Sequence, residues 1–340
     1  MHILIILVVT MGNFTKRTIP SHIRTLDYSS ADTNASAHAY HDLSTDVLTY
    51  IENSVSESTV RARKSDINTF LKWGGHLPST PEEVANFFAD QAKIKAISSV
   101  ERYRSTLNHW HGAKQLPSPC KTELVRAVLG GISRTHGRKQ KRAKPLLIDD
   151  IKKIVDHIQG KLLVDTRNRS LILLGFAGAF RRSELIALKY TDLEFVPEGV
   201  LVTLRKSKTN QQGNQEIKAI PNAKLDEKYC PVRHLSKWLD ISGISEGPVF
   251  RRIRRNQKLG EELLTGDGFY KLLKKLCNEA GIESKQITPH SLRAGFITSA
   301  YLAGKDHIKT KQISGHRHHE TYERYIRDAD RYRNNAADLF

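Results

Sequence analysis

The chain has 340 residues, which is long enough for two domains that each bury a core. Hydrophobic residues make up 39% of it, and the apolar start HILIILVV is too short to cross a bilayer, so a membrane protein is disfavoured. The formal net charge of +18 at pH 7 favours a polyanionic partner, with nucleic acid as the first candidate.

The three cysteines, Cys120, Cys230 and Cys277, lie far apart in the chain. They show neither the CxxC spacing nor the Cys/His spacing of a structural zinc site, and they fit a reducing cytosol. The sequence also contains no P-loop. We therefore expect neither a metal ion nor another cofactor.

The periodicity of apolar residues changes near residue 44. Residues 1–43 mix Ser, Thr, Asn, Ala and His without a sustained period, and we expect a disordered tail there. From 44 to 136, several helical patterns of apolar residues follow one another, of which one is opened by Ser58 and the last ends near Gly130 and Gly131. The sequence 80–83, TPEE, predicts a helix start with a capping box. This region is predicted to be an all-helical domain.

Residues 137–145, GRKQKRAKP, form a basic run without an apolar face. The run separates two patterned regions, which is typical of an interdomain linker, although charge runs are often only solvated. Basic side chains in such a linker can follow a phosphate backbone. Its candidate DNA contacts are Arg138, Lys139, Lys141 and Arg142.

The second domain is expected over residues 146–340. A buried helix is predicted at 171–176, after which the period changes to that of short strands at 193–195, 200–204 and 216–220. Helices then resume to the end of the chain. The predicted fold class is mainly α with a small antiparallel β-sheet, as an all-helical domain followed by an α+β domain.

Four polar motifs follow in this second domain. Arg181 and Glu184 in FRRSEL are three residues apart, which is also the spacing of an ordinary helix ion pair. Arg182 lies where a core residue is expected, so we predict that it faces solvent or DNA. Lys206 and Lys208 lie in the predicted hairpin turn, where a flexible loop can deliver an ammonium group into a closed site.

The last two motifs lie near the C-terminus. His290 and Arg293 are one helical turn apart at a predicted helix start, which favours a bound phosphate. His316 follows a glycine, and Tyr325 comes nine residues later, with Tyr322 and Tyr332 as neighbouring phenols. Each motif alone is equally well explained by surface polarity or by packing.

The ordered set FRRSEL, SKT, HSLR, SGH and the downstream Tyr325 resembles the tyrosine recombinase (phage integrase) family over roughly residues 45–340. The tract KQKRAKPLLIDD and the helical domain before it are most similar to the Cre-like branch. The resemblance implies a site-specific DNA recombinase that forms a 3′-phosphotyrosyl intermediate without metal or ATP. It assigns the catalytic site to seven residues, Arg181, Glu184, Lys208, His290, Arg293, His316 and Tyr325.

The resemblance also assigns a role to each of these residues. Tyr325 would be the nucleophile and His290 its base, and Lys208 would protonate the leaving 5′-oxygen. The two arginines would bind phosphate oxygens in pairs of hydrogen bonds. The histidine at 316 would donate to a phosphate oxygen, and the glutamate would orient its neighbours.

The implied partners are double-stranded DNA, clamped by the two domains, and three further copies of the chain in a tetramer on two DNA sites. Accessory DNA-bending proteins are additional candidates. The apolar end of the chain either packs on its own domain or reaches the next protomer. The candidate oligomerisation residues are Ala336, Ala337, Leu339 and Phe340. The expected location is the cytoplasm, at the nucleoid in a prokaryote.

Two alternatives stay open at the level of sequence. A type IB topoisomerase shares this chemistry but relaxes DNA as a monomer. A DNA-binding protein that no longer cuts DNA would share the fold alone. Competent residues at every candidate catalytic position argue against this second alternative.

Overall fold

The structure is a computed structural model that describes residues 44–137, 143–205, 216–316 and 319–329. The chain separates into two compact units, Met1–Lys141 and Arg142–Phe340. The predicted tail over 1–43 lies outside the described residues. Among the residues with a described position, no helix is both long and apolar enough to cross a membrane.

The first unit is all-helical over its described residues. Its core contains closely packed aromatic rings, such as Phe70 and Phe87 with centroids 5.0 Å apart, and these rings are buried within the unit. The α-helices are α1 Thr45–Asn53, α2 Glu57–Trp73, α3 Pro81–Ile94, α4 Ile97–Ala113 and α5 Glu123–His136.

The capping box predicted at 80–83 is confirmed, because the Thr80 hydroxyl accepts from the backbone N–H of Glu83, whose carboxylate accepts from the Thr80 N–H. Two other helix limits were wrong. Helix α2 begins at Glu57 because Ser56, rather than Ser58, accepts from the backbone N–H of Thr59. Helix α5 continues through the two glycines to His136, since buried apolar residues on either side of them hold it against the core.

The second unit combines helices with two small antiparallel sheets, which confirms the expected fold class. Its helices and strands, in chain order, are α6 Ile148–His157, α7 Leu163–Ala177, α8 Arg182–Ile186, β1 Leu193–Val196, β2 Gly199–Leu204, β3 Glu216–Pro221, α9 Pro231–Ser242, β4 Arg251–Ile253, β5 Leu259–Leu263, α10 Gly266–Glu279, α11 His290–Leu302, α12 His307–Ser314 and α13 His319–Ala329.

The first sheet has the order β1-β2-β3 and matches the three predicted strands. In its register Val200 pairs with Ile220, and Val202 pairs with Lys218. The pair β4 and β5 was not predicted from the sequence. These strands have three and five residues, with the sequences RRI and LGEEL, and neither shows an apolar alternation.

Helix α7 is the centre of the second core and is buried on most sides, as its apolar run predicts. It packs against α9 and α11. Helix α11 in turn lies close to the start of the unit, where a Cβ at Gly295 would lie 1.6 Å from the carbonyl oxygen of Leu146. Only glycine permits this approach, which fixes the helix whose first turn carries His290 and Arg293.

Candidate active site

The arginine immediately before helix α8 is held by the first turn of that helix. Arg181 occupies the N-cap position, and its backbone N–H donates to Oε2 of Glu184 over 2.9 Å. The other carboxylate oxygen of Glu184 lies 2.5 Å from Nη1 of Arg181. Because the Glu184 side chain is only 2% exposed, this ion pair is shielded from water and fixes the direction of the guanidinium.

A second guanidinium is supplied by α11. Arg293 is 1% exposed, and its Nη1 donates to the carbonyl oxygen of Ala179 over 2.9 Å. Burial, followed by the charge of the neighbouring Arg181, lowers the pKa of Arg293 to about 10, so the group stays charged at neutral pH. Two cations therefore lie close enough to interact, an arrangement that favours the binding of an anion such as a phosphate.

The turn after α12 contacts both arginines. Gly315 adopts the left-handed conformation, with φ of +60°, and its carbonyl oxygen accepts from Nη2 of Arg181 over 3.1 Å. The next residue, His316, places Nε2 3.4 Å from Nη2 of Arg293 and Nδ1 2.9 Å from the hydroxyl of Ser314. Desolvation, followed by the two arginines, lowers the pKa of His316 to about 3, so its imidazole is neutral at pH 7.

Helix α13 brings a phenol to the second histidine. The hydroxyl of Tyr325 lies 2.6 Å from Nε2 of His290. His290 is exposed as a residue, but its ring is surrounded by protein. Desolvation of the ring, followed by the charges of Arg293 and Arg181, lowers the pKa of the imidazole. A neutral imidazole has a free lone pair, so Nε2 can accept the tyrosine proton. The ring of His316 lies 5.6 Å from that of Tyr325.

The neighbouring phenol of Tyr322 has a different environment. Tyr322 is 1% exposed, and its hydroxyl lies 3.4 Å from Nδ1 of His307. Burial raises the pKa of this phenol, which makes it a poorer nucleophile. The geometry therefore distinguishes Tyr325 from Tyr322, which the residues did not do without the family resemblance.

The structure thus brings together six of the seven predicted catalytic residues, namely Arg181, Glu184, His290, Arg293, His316 and Tyr325. Arg182 is exposed, as expected for a residue that faces solvent or DNA. The remaining candidates lie outside the described residues, and these are Lys208, Lys206, Arg138, Lys139, Lys141, Arg142, Tyr332 and the C-terminal residues Ala336, Ala337, Leu339 and Phe340.

Sequence analysis missed one residue beside the site. Lys218 on β3 is 2% exposed, and its ammonium donates to the carbonyl oxygen of Ile313 at the end of α12. Strand alternation could have indicated it, because residues two apart share a face and Ile220 is a core residue. A lysine in a short strand next to a polar turn instead suggests solvent exposure.

Two fixed guanidinium groups, two neutral imidazoles and a phenol suit the binding and attack of a phosphodiester. The cations match the oxygens of a phosphate, and they favour the charged form of a nearby phenol. One imidazole is placed to take the phenolic proton. No group of acidic, cysteine or histidine side chains arranged to hold a metal ion occurs among the described residues.

Comparisons with known proteins agree with this chemistry. A profile described as the phage integrase family matches residues 144–331. The chain is 34% identical over 294 residues to an integrase/recombinase XerD homologue of Selenomonas ruminantium, covering 84% of this chain and 86% of that protein. It is 22% identical over 282 residues to the Cre recombinase of Escherichia phage P1, covering 76% of this chain and 78% of the phage protein.

Solved structures show the same fold. The XerH site-specific recombinase, in a post-cleavage complex with a palindromic difH substrate, aligns with a TM-score of 0.60 and 18% identity, covering 92% of this chain and 93% of that one. A lambda integrase dimer bound to a COC′ core site aligns with a TM-score of 0.58 and 18% identity, covering 89% and 99%.

The family profile covers more than half of the chain, and the identity to the Selenomonas protein extends over most of both proteins. This chain therefore belongs to the phage integrase family and is a tyrosine site-specific DNA recombinase.

Proposed function

We propose that the chain recombines DNA by transesterification, with Tyr325 as the nucleophile. The observation that carries this proposal is the 2.6 Å separation between the Tyr325 hydroxyl and Nε2 of His290, at a cluster that also holds Arg181, Arg293 and His316. A phosphodiester bound to the two arginines would lie beside the phenol that attacks it.

In the cleavage step, the Tyr325 oxygen forms a bond to phosphorus and the bond from phosphorus to the 5′-oxygen breaks. The phenolic proton passes to Nε2 of His290. An ordinary tyrosine has a pKa of about 10, so the surrounding cations must favour the phenolate for this transfer to succeed. The products are a 3′-phosphotyrosyl link and a free 5′-hydroxyl on the DNA.

Negative charge develops on the phosphate oxygens during this step. Arg181 and Arg293 would each offer two parallel N–H donors to these oxygens, and their own contacts to Glu184 and Ala179 keep them oriented. His316 would supply a further hydrogen bond. Since none of these donors has to reorganise, their stabilisation is available at the transition state.

The leaving 5′-oxygen needs a proton as its bond breaks. We assign this general-acid role to Lys208, which belongs to the loop that joins β2 to β3. Lys206 competes for the role, because it lies two residues earlier in the same loop. The covalent link conserves the energy of the phosphodiester, so rejoining by a new 5′-hydroxyl reverses the same steps.

We further propose the assembly in which this chemistry operates. The helical domain at 44–136 and the catalytic domain at 146–340 would hold duplex DNA, with the basic linker at 137–145 and Arg182 following its phosphates. Four copies would join two DNA sites for integration or excision, with the C-terminal end reaching the next protomer. The reaction would occur on DNA in the cytoplasm, at the nucleoid if the host is a prokaryote.

A nicked DNA substrate tests the proposal, because loss of a short cleaved fragment prevents rejoining and traps the covalent complex. The target would first be found by sequencing the DNA that the purified chain retains. We expect a covalent protein–DNA complex from the wild-type chain and strand exchange between two target duplexes. Binding without an adduct would indicate a protein that no longer cuts, and relaxation without exchange would indicate a topoisomerase.

A further inference from the structure

In strand β3 an apolar side chain is exposed and a charged side chain is buried, which reverses the usual arrangement. Ile217 is 60% exposed, whereas its neighbour Lys218 is 2% exposed and shares the core face with Ile220. A one-residue shift in register would exchange these faces, but the pairing of Val202 with Lys218 fixes the register. A buried ammonium is costly unless it is paired, so the site must supply specific partners.

The partners of Lys218 lie at the edge of the active site. Its ammonium donates to the carbonyl oxygen of Ile313, and its Nζ lies 5.5 Å from the ring centroid of Phe180. The nearest carboxylate is that of Glu216, whose Oε1 is 3.6 Å from Nζ. Desolvation lowers the pKa of Lys218 to about 8, so the group still carries its charge at neutral pH.

The carbonyl that Lys218 binds belongs to the last turn of α12, where carbonyl groups lack an intrahelical donor. A cation at this end of a helix is also favoured by the helix dipole. Lys218 therefore anchors the helix end at the point where the chain turns into Gly315 and His316. The turn then contacts Arg181 through a carbonyl and Arg293 through an imidazole.

Glu216 also limits the position of this turn. Its Oε1 would lie 2.7 Å from a Cβ at Gly315, and this oxygen has no hydrogen-bond partner among the described residues. A side chain at 315 would therefore meet both backbone strain at φ of +60° and a carboxylate. Two residues of β3 thus determine where the 313–316 turn can lie.

We propose that Lys218 is a positioning residue for DNA cleavage, which holds the 313–316 turn so that Gly315 orients Arg181 and His316 faces the phosphate. Lys218 would not touch the DNA itself. The inference rests on the proposed function, because the turn matters for cleavage only if the cluster binds the scissile phosphate. Lys218 would also link β3, which follows the loop that contains Lys208, to the residues that stabilise the transition state.

The test compares Lys218→Met, which keeps the apolar stem and removes the ammonium, with Lys224→Met as a control at an exposed lysine just after β3. Amide hydrogen exchange in the full-length chain reports on residues 313–316. Single-turnover cleavage of nicked DNA is measured at saturating protein. We expect Lys218→Met to exchange about 10-fold faster in the turn and to cleave about 10- to 100-fold more slowly, with unchanged DNA affinity.

A double-mutant cycle with His316→Ala shows whether the effect passes through the turn. In the His316→Ala background, Lys218→Met should lower the cleavage rate by a smaller factor than in the wild type, because the histidine that it positions is already absent while the contact of Gly315 with Arg181 can still be lost. A full multiplicative loss in that background would contradict the proposal. The proposal would also be contradicted if the Lys218→Met chain cleaved within about twofold of the wild type and showed unchanged amide exchange at residues 313–316.

A second variant and a wild-type control make each outcome of the test informative. If Lys218→Met does not fold, Lys218→Gln retains a donor for Ile313 and should keep a protected turn and a cleavage rate within about fivefold of the wild type. An unprotected turn in that variant would contradict the proposal. If the wild-type chain forms no adduct, the proposed function fails, while the exchange rates still decide whether Lys218 holds the turn.

Discussion

The hydroxyl of Tyr325 and Nε2 of His290 lie 2.6 Å apart, although 35 residues separate them in the chain. The two side chains come from different helices, α13 and α11, which pack against each other. The buried phenol of Tyr322 instead packs against two other histidine rings, those of His307 in α12 and of His316 in the following turn. The pairing therefore depends on the packing of α11 against α13, and it places a proton acceptor at the proposed nucleophile.

Arg293→Lys tests whether the phosphate is bound by paired hydrogen bonds. An ammonium keeps the charge but cannot form two parallel bonds or reach Ala179 in the same geometry, so cleavage should fall by about 10²-fold or more. Single-turnover rates on nicked DNA provide the measurement, with DNA affinity and unfolding temperature as checks on binding and folding. Wild-type cleavage by Arg293→Lys would argue against bidentate recognition. Arg167→Lys is a matched control, because Arg167 is also buried but contacts Asn168 and the carbonyl oxygen of Arg251.

Lys208→Ala tests the general acid. The variant should cleave an ordinary substrate slowly but recover on DNA with a 5′-phosphorothiolate at the scissile position, because the sulfur leaves without needing a proton. Lys206→Ala serves as the comparison within the same loop. Recovery by Lys206→Ala in place of Lys208→Ala would move the assignment by two residues.

The depressed pKa of His316 predicts a specific loss of stability in acid. Its folded-state pKa is about 3, below the unfolded value of about 6.5, so between these values the unfolded chain binds more protons. The stability contributed by the neutral imidazole is therefore lost as pH falls from 6.5 towards 3. The unfolding temperature of His316→Gln should fall less steeply than that of the wild type over this window. Parallel curves would show that His316 is not held neutral by its surroundings.

The C-terminal segment gives a prediction about assembly. Deleting residues 334–340 should leave binding to a single DNA site intact but abolish synapsis and recombination, since the apolar end would no longer reach the next protomer. Replacing Asn334 and Asn335 by alanine provides a control that keeps the apolar residues. Electrophoretic mobility on one and two DNA sites separates the two steps. Recombination at the wild-type rate by the truncated chain would exclude this segment as the assembly element.

Local patterns in the sequence predicted much of this fold for clear physical reasons. The alternation of Val200, Val202 and Leu204 indicated β2, and all three side chains are buried. The polar site was harder to predict from the sequence, because short motifs such as HxxR occur often by chance. Only their order and number, through the family resemblance, indicated a common site. Which of the nearby tyrosines faces His290 depended on the packing of α13.

Other features were hidden because tertiary contacts override local preference. Lys218 is polar in a strand that exposes Ile217, and its burial makes sense only beside Ile313, which lies 95 residues later. The strand β4 has the sequence Arg-Arg-Ile, which carries no apolar alternation. For Lys218 the determining partner is distant in the chain, so no window of local sequence contains the information.

In the proposed reaction, Tyr325 forms the covalent bond to DNA. The most direct test traps the adduct on nicked DNA, digests the protein and the DNA, and locates the modified peptide by mass spectrometry. We predict a nucleotide linked to Tyr325, which disappears in Tyr325→Phe without loss of DNA binding and persists in Tyr322→Phe. An adduct on Tyr322 or Tyr332, or one that forms in Tyr325→Phe, would contradict the assignment of the nucleophile.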